Sequence, residues 1–226
     1  IPVSVNAFVV EQLEVEFLDD FVLEPTKTEI LVDPGEQESK RLSVTNRTGR
    51  VVDFQIEIED ITGSDNPDDQ VKLLGNEKGP YSLKDFLIPE VKSFSLNPGE
   101  RATINIDVSL PEDASPGGYY GAILVSAEDR NTDDAENSAG IAKIVTRLGS
   151  IFLVRVNGET NEASSLSDFK PIGPTQMFYS NHPEGFEVAI KNEGNVHLVH
   201  YGQVVVENMF GKKVKSIPID AFFSLP

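Results

Sequence analysis

Carboxylates in two acidic stretches are the residues whose types and spacing come closest to a recognisable chemistry, the binding of calcium. Calcium takes about six to eight oxygen ligands, which a turn has to bring together. The stretches consist of Asp60, Asp65, Asp68 and Asp69, and of Glu128, Asp129, Asp133, Asp134 and Glu136. Neither stretch has the spacing of a known calcium motif, so we interpret both as solvated loops and keep the first as the candidate calcium site.

The histidines and cysteines indicate no other metal or nucleophilic chemistry. His197 and His200 lie three residues apart in a predicted strand, which places them on opposite faces, and His182 is distant in sequence. Cysteine is absent, which excludes thiolate catalysis and disulfides. The motifs of a nucleophile elbow, a zincin helix and a phosphate loop are absent too. We therefore predict a protein that is not an enzyme and has no catalytic residue, cofactor or metal centre.

The chain is strongly acidic, with 37 Asp and Glu residues against 19 Lys and Arg residues and a formal charge of -18. Such a surface repels nucleic-acid phosphates and anionic lipid head groups, so neither is an expected partner. The densest basic stretch, Lys212, Lys213 and Lys215, lies among strand-like residues, and we interpret it as an exposed edge that resists aggregation. No apolar run is long enough to predict a membrane span.

Strict alternation of apolar and polar residues dominates the elements that must position these side chains. The alternating apolar residues are Leu13, Val15 and Phe17, then Val52, Phe54, Ile56 and Ile58, then Ala102, Ile104, Ile106, Val108 and Leu110. A period of two predicts strands with one face buried and one face in water. Frequent turn residues, Gly 17 and Pro 14, separate the runs. The sequence therefore predicts an all-β chain.

Two pairs of similar motifs organise the chain. Asp-Pro-Gly-Glu at 33–36 and Asn-Pro-Gly-Glu at 97–100 each precede an alternating strand, and both predict a type II turn with Gly at positive φ. The segments 44–49 and 190–194 each carry a strand into an Asn and a Gly, which predicts equivalent hairpins in two domains. The polar segment 157–165 between them has the composition of a linker.

The linker divides the chain into a first domain at 1–158 and a second, smaller domain at 159–226. The first has about seven or eight predicted strands, including an extra N-terminal strand, and a helical turn at 82–87 that Ser82 is expected to cap. The second has fewer predicted strands than a closed sandwich needs, so we expect a smaller sandwich that lacks part of its sheets. The expected fold class is all-β, with two tandem immunoglobulin-like β-sandwich domains.

Tyr119 and Tyr120 follow a Pro-Gly-Gly segment at 116–118 that joins two predicted strands. In immunoglobulin-like sandwiches a Tyr near the start of such a strand bonds backwards to the main chain, and Gly permits the close approach. We therefore interpret these residues as a structural tyrosine corner; the alternative is an aromatic platform for carbohydrate. Asn46-Arg47-Thr48 has the form of a glycosylation sequon, which also arises often by chance.

The run from 23 to about 156 resembles the first domain of bacterial WxL-interacting-type surface proteins. The stretches that carry the likeness are 33–36 with 44–46, 97–100, 110–111 with 117–123 and, in the second sandwich, 192–197 and 208–214. The resemblance implies an immunoglobulin-like domain, described in that family as peptidoglycan-binding, in an exported protein anchored by a membrane segment after the second sandwich. The family's early Asn-Gln and aromatic-Asp motifs, and its Thr-Asn segment, have no clear match here.

These features lead to two main hypotheses of function. The leading one is a non-catalytic binding or adhesion scaffold at the bacterial cell surface, whose loops, such as 60–80, contact a cell-wall polymer or another surface protein. Val5 and Ala7, in the apolar opening, are small enough for a signal-peptidase site, which agrees with export.

The rival hypothesis is a subunit of an extracellular fibre that self-associates by donation of an N-terminal β-strand. The candidate residues of that assembly strand are Val9, Leu13, Val15 and Phe17. A carbohydrate-active enzyme is a third alternative, and it would require two carboxylates that face each other across a cleft.

Overall fold

The computed structural model describes residues 8–64, 66, 69–129, 145–173 and 185–226. The chain divides into two compact units, one formed by Ile1–Ile61 and Leu73–Gly158 and the other by Thr62–Lys72 and Glu159–Pro226. The described elements are β-strands, apart from one short 3-10 turn at Lys84–Phe86. The prediction of an all-β chain of immunoglobulin-like β-sandwich architecture is confirmed. The predicted domain boundary stays a prediction.

Two sheets of the described residues contain the first eleven strands. The strands are β1 (Val9–Gln12), β2 (Phe21–Glu24), β3 (Lys27–Val32), β4 (Gln37–Asn46), β5 (Val52–Gly63), β6 (Val71–Leu73), β7 (Leu87–Pro89), β8 (Ser93–Leu96), β9 (Glu100–Ser109), β10 (Gly117–Asp129) and β11 (Thr146–Val156). The first sheet has the order β1-β9-β4-β2, and β7 also pairs with β9. The second has the order β3-β11-β10-β5-β6, and β8 also pairs with β5.

The core of this sandwich follows from the alternation seen in the sequence. In β9, Ala102, Ile104, Ile106 and Val108 are buried, and the polar residues between them are partly exposed. Their buried side chains join those of both sheets in one apolar cluster. Burial of a Val, Ile or Leu side chain contributes about 1.5–3 kcal/mol each, which makes this cluster the main source of stability.

The run from β2 to β3 belongs to both sheets. β2 pairs with β4 in the first sheet, where Phe21 lies opposite Asn46 in antiparallel register. After two residues the chain enters the second sheet, where β3 pairs with β11 in parallel, with Lys27 opposite Ile151 and Val32 opposite Val156. This single run therefore links the two sheets by backbone hydrogen bonds.

Two short strands share the outer edge of β9. β1 pairs antiparallel with its first residues, with Val9 opposite Thr103, and β7 pairs with its last residues, with Leu87 opposite Val108. A bare edge strand presents unpaired amides and carbonyls to other chains. β1 and β7 together cover this edge.

Both predicted type II turns are present. In the first, Gly35 has a φ of 81° and the amide of Glu36 donates a 3.1 Å hydrogen bond to the carbonyl oxygen of Asp33. The second turn is closed by the equivalent bond, also 3.1 Å, and its Gly99 has a φ of 78°. A residue with a Cβ is strained at such angles, so both glycines are required by the turn. The prediction is confirmed.

The C-terminal unit has two ribbons of two strands each. β12 (Ser164–Pro171) pairs antiparallel with β13 (Phe186–Asn192), and β14 (Leu198–Glu207) pairs antiparallel with β15 (Lys213–Ser224). Within the described residues of 159–226, the hydrophobic side chains that are buried are Val196 and Leu225. The described part of this unit therefore has strands with apolar faces and very little closed core.

No helix in the described residues has the length and apolarity that a membrane crossing needs.

Candidate functional site

An apolar cleft in the C-terminal unit is the strongest candidate for a binding site. Its volume is 280 Å³, and seven residues from β13, β14 and β15 line it. They are Phe186, Val188, Val204, Ile217, Pro218, Ile219 and Phe222. Next to it, the ring of Phe169 stacks on that of Phe186 with centroids 5.4 Å apart. The two ribbons thus present their apolar faces to a space that their own side chains leave unfilled.

The alternation of β14 shows how the cleft is built. Val204 lies in the cleft and is half-buried, whereas its neighbour Val205 is 43% exposed on the other face. Among the described residues, β12 pairs with β13 alone, and β14 with β15 alone, so the outer sides of both ribbons carry strand edges. An apolar cleft bordered by strand edges has the two features by which proteins bind an extended strand.

The side chains that line the cleft are apolar, so the polar part of its surface comes from backbone groups. No residue that lines it carries a charge or a nucleophile, and no group of three or more His, Asp or Glu side chains within the described part of the chain could hold a metal ion. The carboxylate pair expected of a glycosidase is therefore not found at this cleft. The cleft offers burial of apolar side chains rather than reaction.

His200 lies beside the cleft on β14. Its Nε2 is 2.7 Å from Ser224 Oγ, and its ring centroid is 5.4 Å from that of Phe222. Burial lowers the pKa of His200 below its ordinary value, so the imidazole is neutral at pH 7. His197 lies in the turn before β14, and His182 lies outside the described residues.

Asp60, the first calcium candidate, is a buried residue at the end of β5 with a role in the backbone. Its Oδ1 accepts hydrogen bonds from the amides of Leu83 and Lys84, at 3.1 and 2.9 Å, and its Oδ2 accepts one from Gly79 at 3.0 Å. The carboxylate therefore holds the loop that leads into the 3-10 turn. The prediction that Ser82 caps this turn is wrong, because the amides bond to Asp60 instead.

Of the remaining calcium candidates in the first stretch, the structure describes Asp69. Asp69 is exposed and accepts a 2.7 Å bond from the side-chain amide of Asn66. Asp65 and Asp68 lie outside the described residues, as do Asp133, Asp134 and Glu136 of the second stretch. Glu128 and Asp129 end β10.

Asn46, the acceptor of the apparent glycosylation sequon, is fully buried. Its Nδ2, the atom that would carry a glycan, donates to the carbonyl oxygens of Arg50, Leu96 and Asn97 at 2.7, 3.0 and 3.2 Å. Its Oδ1 accepts bonds from the amide and the hydroxyl of Thr48 at 2.9 and 2.8 Å. The residue is thus the centre of a loop, and its nitrogen is inaccessible to glycosylation.

Asn192 has the same arrangement in the C-terminal unit. Its Nδ2 donates to the carbonyl oxygen of Val196, four residues on, at 2.8 Å, and to that of Ser224 at 3.1 Å. Its Oδ1 accepts from the amide of Gly194, two residues on, at 2.9 Å. The predicted hairpins are wrong, because β4 and β5 lie in different sheets, as do β13 and β14. The repeated motif is a crossing between sheets, organised by the side-chain amide of an Asn, which is buried in the first copy and half-buried in the second.

The two tyrosines lie at the start of β10. The hydroxyl of Tyr119 donates to the carbonyl oxygen of Ser115, four residues earlier, at 3.2 Å, which is the kind of backward bond that a tyrosine corner makes. Tyr120 is buried, and its side chain crosses Gly118 so closely that a Cβ there would lie 1.8 Å from the hydroxyl oxygen. Any residue other than Gly at 118 would displace this ring.

The candidate assembly strand is shorter than the alternation predicts, because β1 ends at Gln12 and Leu13, Val15 and Phe17 lie outside the strand. Val9 lies in β1 on the edge of β9 and is exposed, as is Phe17. Leu13 and Val15 are half-buried, and the amide of Leu13 donates to the carbonyl oxygen of Gly99 at 2.9 Å. All four side chains of β1 are exposed, so this strand is attached mainly by its backbone.

The sequence matches no family model and no curated protein. Solved structures similar to this chain include the class 5 fimbriae chaperone CfaA, with 12% identity and a TM-score of 0.46, over 90% of this chain and 84% of that one. The E. coli chaperone DraB has 14% identity and a TM-score of 0.42, over 89% and 98%. The CsuC–CsuE chaperone and tip adhesion subunit complex of Acinetobacter baumannii has 10% identity and a TM-score of 0.45, over 89% of this chain and 90% of that one. These likenesses are distant, and the fold assignment rests on this chain's own sheets.

Proposed function

We propose that the chain is a non-catalytic binding scaffold whose C-terminal unit takes an extended strand of a partner protein into its apolar cleft. The observation that carries this proposal is the 280 Å³ cleft between two ribbons, with seven apolar residues and no ionisable group in its lining. A partner strand that inserted alternate apolar side chains would bury them there and pair its backbone with a ribbon edge. The unit would then gain the core that its own strands lack.

The size of the cleft favours side chains over a small-molecule ligand. Pockets that enclose drug-sized ligands have volumes of about 300–1,000 Å³ and contain a few polar groups that fix orientation. This cleft, at 280 Å³, lies at the lower end of that range, and its lining offers no polar side chain to fix the orientation of a small ligand. Apolar side chains on a strand need neither a larger space nor a polar contact.

The place of action that we propose is the bacterial cell surface. The small residues Val5 and Ala7 in the apolar opening agree with an exported protein, and the sequence resembles WxL-interacting-type surface proteins, a family described as peptidoglycan-binding. The proposed partner is accordingly another surface protein, with a cell-wall polymer as the alternative ligand. Fold alone does not assign a ligand, so binding has to be measured.

A lysine placed in the cleft should abolish strand binding. In Val204→Lys the ammonium group would lie among apolar residues, and a buried unpaired charge is costly, so the affinity for a strand should fall at least about tenfold. Val205→Lys, on the opposite face of the same strand, is the matched control and should bind like the wild type. The measurement is calorimetric titration with peptides of about eight alternating residues taken from bacterial surface proteins. Equal affinities of the two variants, with both folded by circular dichroism, would contradict the proposal.

The second candidate function is self-assembly by strand donation, and the exposure of all four β1 side chains favours it, because a strand held mainly by its backbone can exchange. We expect light scattering to show a monomer both for the full chain and for a variant without residues 1–18, since β1 pairs with its own unit. Filaments that form from the full chain and disappear on truncation would instead support the function of a fibre subunit. Negative-stain microscopy of both samples completes the comparison.

A further inference from the structure

The turn that joins β14 to β15 presents two large apolar side chains to solvent. Met209 is 90% exposed and Phe210 is 85% exposed. The turn is ordered by Asn208, whose Oδ1 accepts hydrogen bonds from the amides of Phe210 and Lys212, both at 3.0 Å. Gly211, with a φ of 75°, completes the turn. The backbone is thus built to hold Met209 and Phe210 outward, although their exposure to water is unfavourable.

The charge around this turn is opposite to that of the whole chain. Residues 203–216 contain three cations, Lys212, Lys213 and Lys215, and one anion, Glu207, which gives a local charge of +2 (3 minus 1). The chain as a whole carries -18. Screening at physiological salt confines electrostatic attraction to about 8 Å, so a surface that touches the turn meets these lysines and not the average charge. We call Met209, Phe210 and the three lysines the amphiphilic tip.

We infer that the amphiphilic tip inserts into the surface of an anionic lipid bilayer. Apolar side chains that enter the interface beside lysines that contact anionic head groups are the combination by which peripheral proteins bind membranes. Met209 and Phe210 are almost fully exposed. A fluid bilayer yields around protruding side chains, whereas a protein partner would need a preformed pocket for them. This inference rests on the tip alone and is independent of strand binding in the cleft.

A tryptophan at the tip reports insertion directly, because the chain contains no Trp. In Phe210→Trp we expect the emission to shift to the blue on addition of phosphatidylcholine vesicles with about 30% phosphatidylglycerol, with a partition constant about tenfold or more above that for phosphatidylcholine alone. The matched control is Tyr201→Trp, at a residue of the same unit that is 84% exposed and lies outside the tip. Its emission should not change.

Two further samples test the electrostatic part. Replacement of Lys212, Lys213 and Lys215 by Gln in the Phe210→Trp chain should remove the preference for anionic vesicles, and high salt should weaken it. The inference is overturned if the emission of Phe210→Trp stays that of an exposed indole with anionic vesicles, or if both Trp variants shift equally. A blue shift of the Phe210→Trp emission on addition of a purified surface protein, with no shift on addition of vesicles, would assign the tip to a protein pocket instead.

Discussion

Asp60→Ala is expected to lower the free energy of unfolding by about 4 kcal/mol, more than any other single substitution considered. Three backbone amides, those of Gly79, Leu83 and Lys84, donate to this buried carboxylate. The bond from Leu83 is buried and the other two are partly buried. Alanine would remove the acceptor of all three, and an unsatisfied buried donor costs about 1–3 kcal/mol, with less for a partly buried one. Urea unfolding followed by circular dichroism measures the change.

The control for this prediction is Asp69→Ala, because Asp69 is an exposed member of the same acidic stretch. Its effect should stay within about 0.5 kcal/mol, as is usual for surface positions. Calcium at about 5 mM, enough to fill a weak extracellular site, should leave the unfolding midpoint of the wild-type chain unchanged. If calcium raised the unfolding midpoint of the wild-type chain but not that of Asp60→Ala, the result would indicate that Asp60 is a calcium ligand.

Asn46→Ala is expected to cost about 3 kcal/mol. The side-chain amide of Asn46 is fully buried and supplies the donor for three carbonyl oxygens, those of Arg50, Leu96 and Asn97. Alanine can neither donate to them nor accept from Thr48, so several buried groups lose a partner at once. Denaturant unfolding again gives the magnitude, and the wild-type chain expressed in a glycosylating host should gain no glycan mass at Asn46.

Asn192→Ala and Asn76→Ala are the variants with which the loss of stability in Asn46→Ala is to be compared. Asn192 is half-buried and its amide nitrogen donates to two carbonyl oxygens, so its loss should cost about half as much. Asn76 is exposed, and its replacement should change the free energy of unfolding by less than about 0.5 kcal/mol. Three equal effects would show that the bonds made by Asn46 contribute nothing particular to stability.

The elements that sequence could predict are those fixed by neighbouring residues. The alternation of β9 is a local pattern, and it gave both the strand and the buried residues from Ala102 to Val108. The two type II turns are equally local, because Pro and Gly set the backbone angles at adjacent positions. For such features the residue types already contain the physical cause.

The features that sequence could not predict depend on distant partners. Asp60 takes the place of the expected Ser82 cap, and it lies 23 residues before Leu83, from whose amide it accepts a hydrogen bond. The segment from Asn46 to Gly49 resembles a hairpin turn. The sheets to which β4 and β5 belong are decided by their pairing with other strands. The sequence predicted a second domain with too few strands, whereas the cleft itself and the choice of Val204 over Val205 as a lining residue required the structure.

The parallel pairing of β3 with β11 determines how the first sandwich responds to mechanical tension. Six residue pairs join these strands, from Lys27 with Ile151 to Val32 with Val156. When β3 is pulled by its N-terminal end and β11 by its C-terminal end, the two strands slide along each other, so the bonds between them share the load. An antiparallel hairpin pulled at its open end would instead lose its bonds one after another. For a strand pair loaded in this way, the lifetime under force is set by the unfolding rate and not by the equilibrium stability.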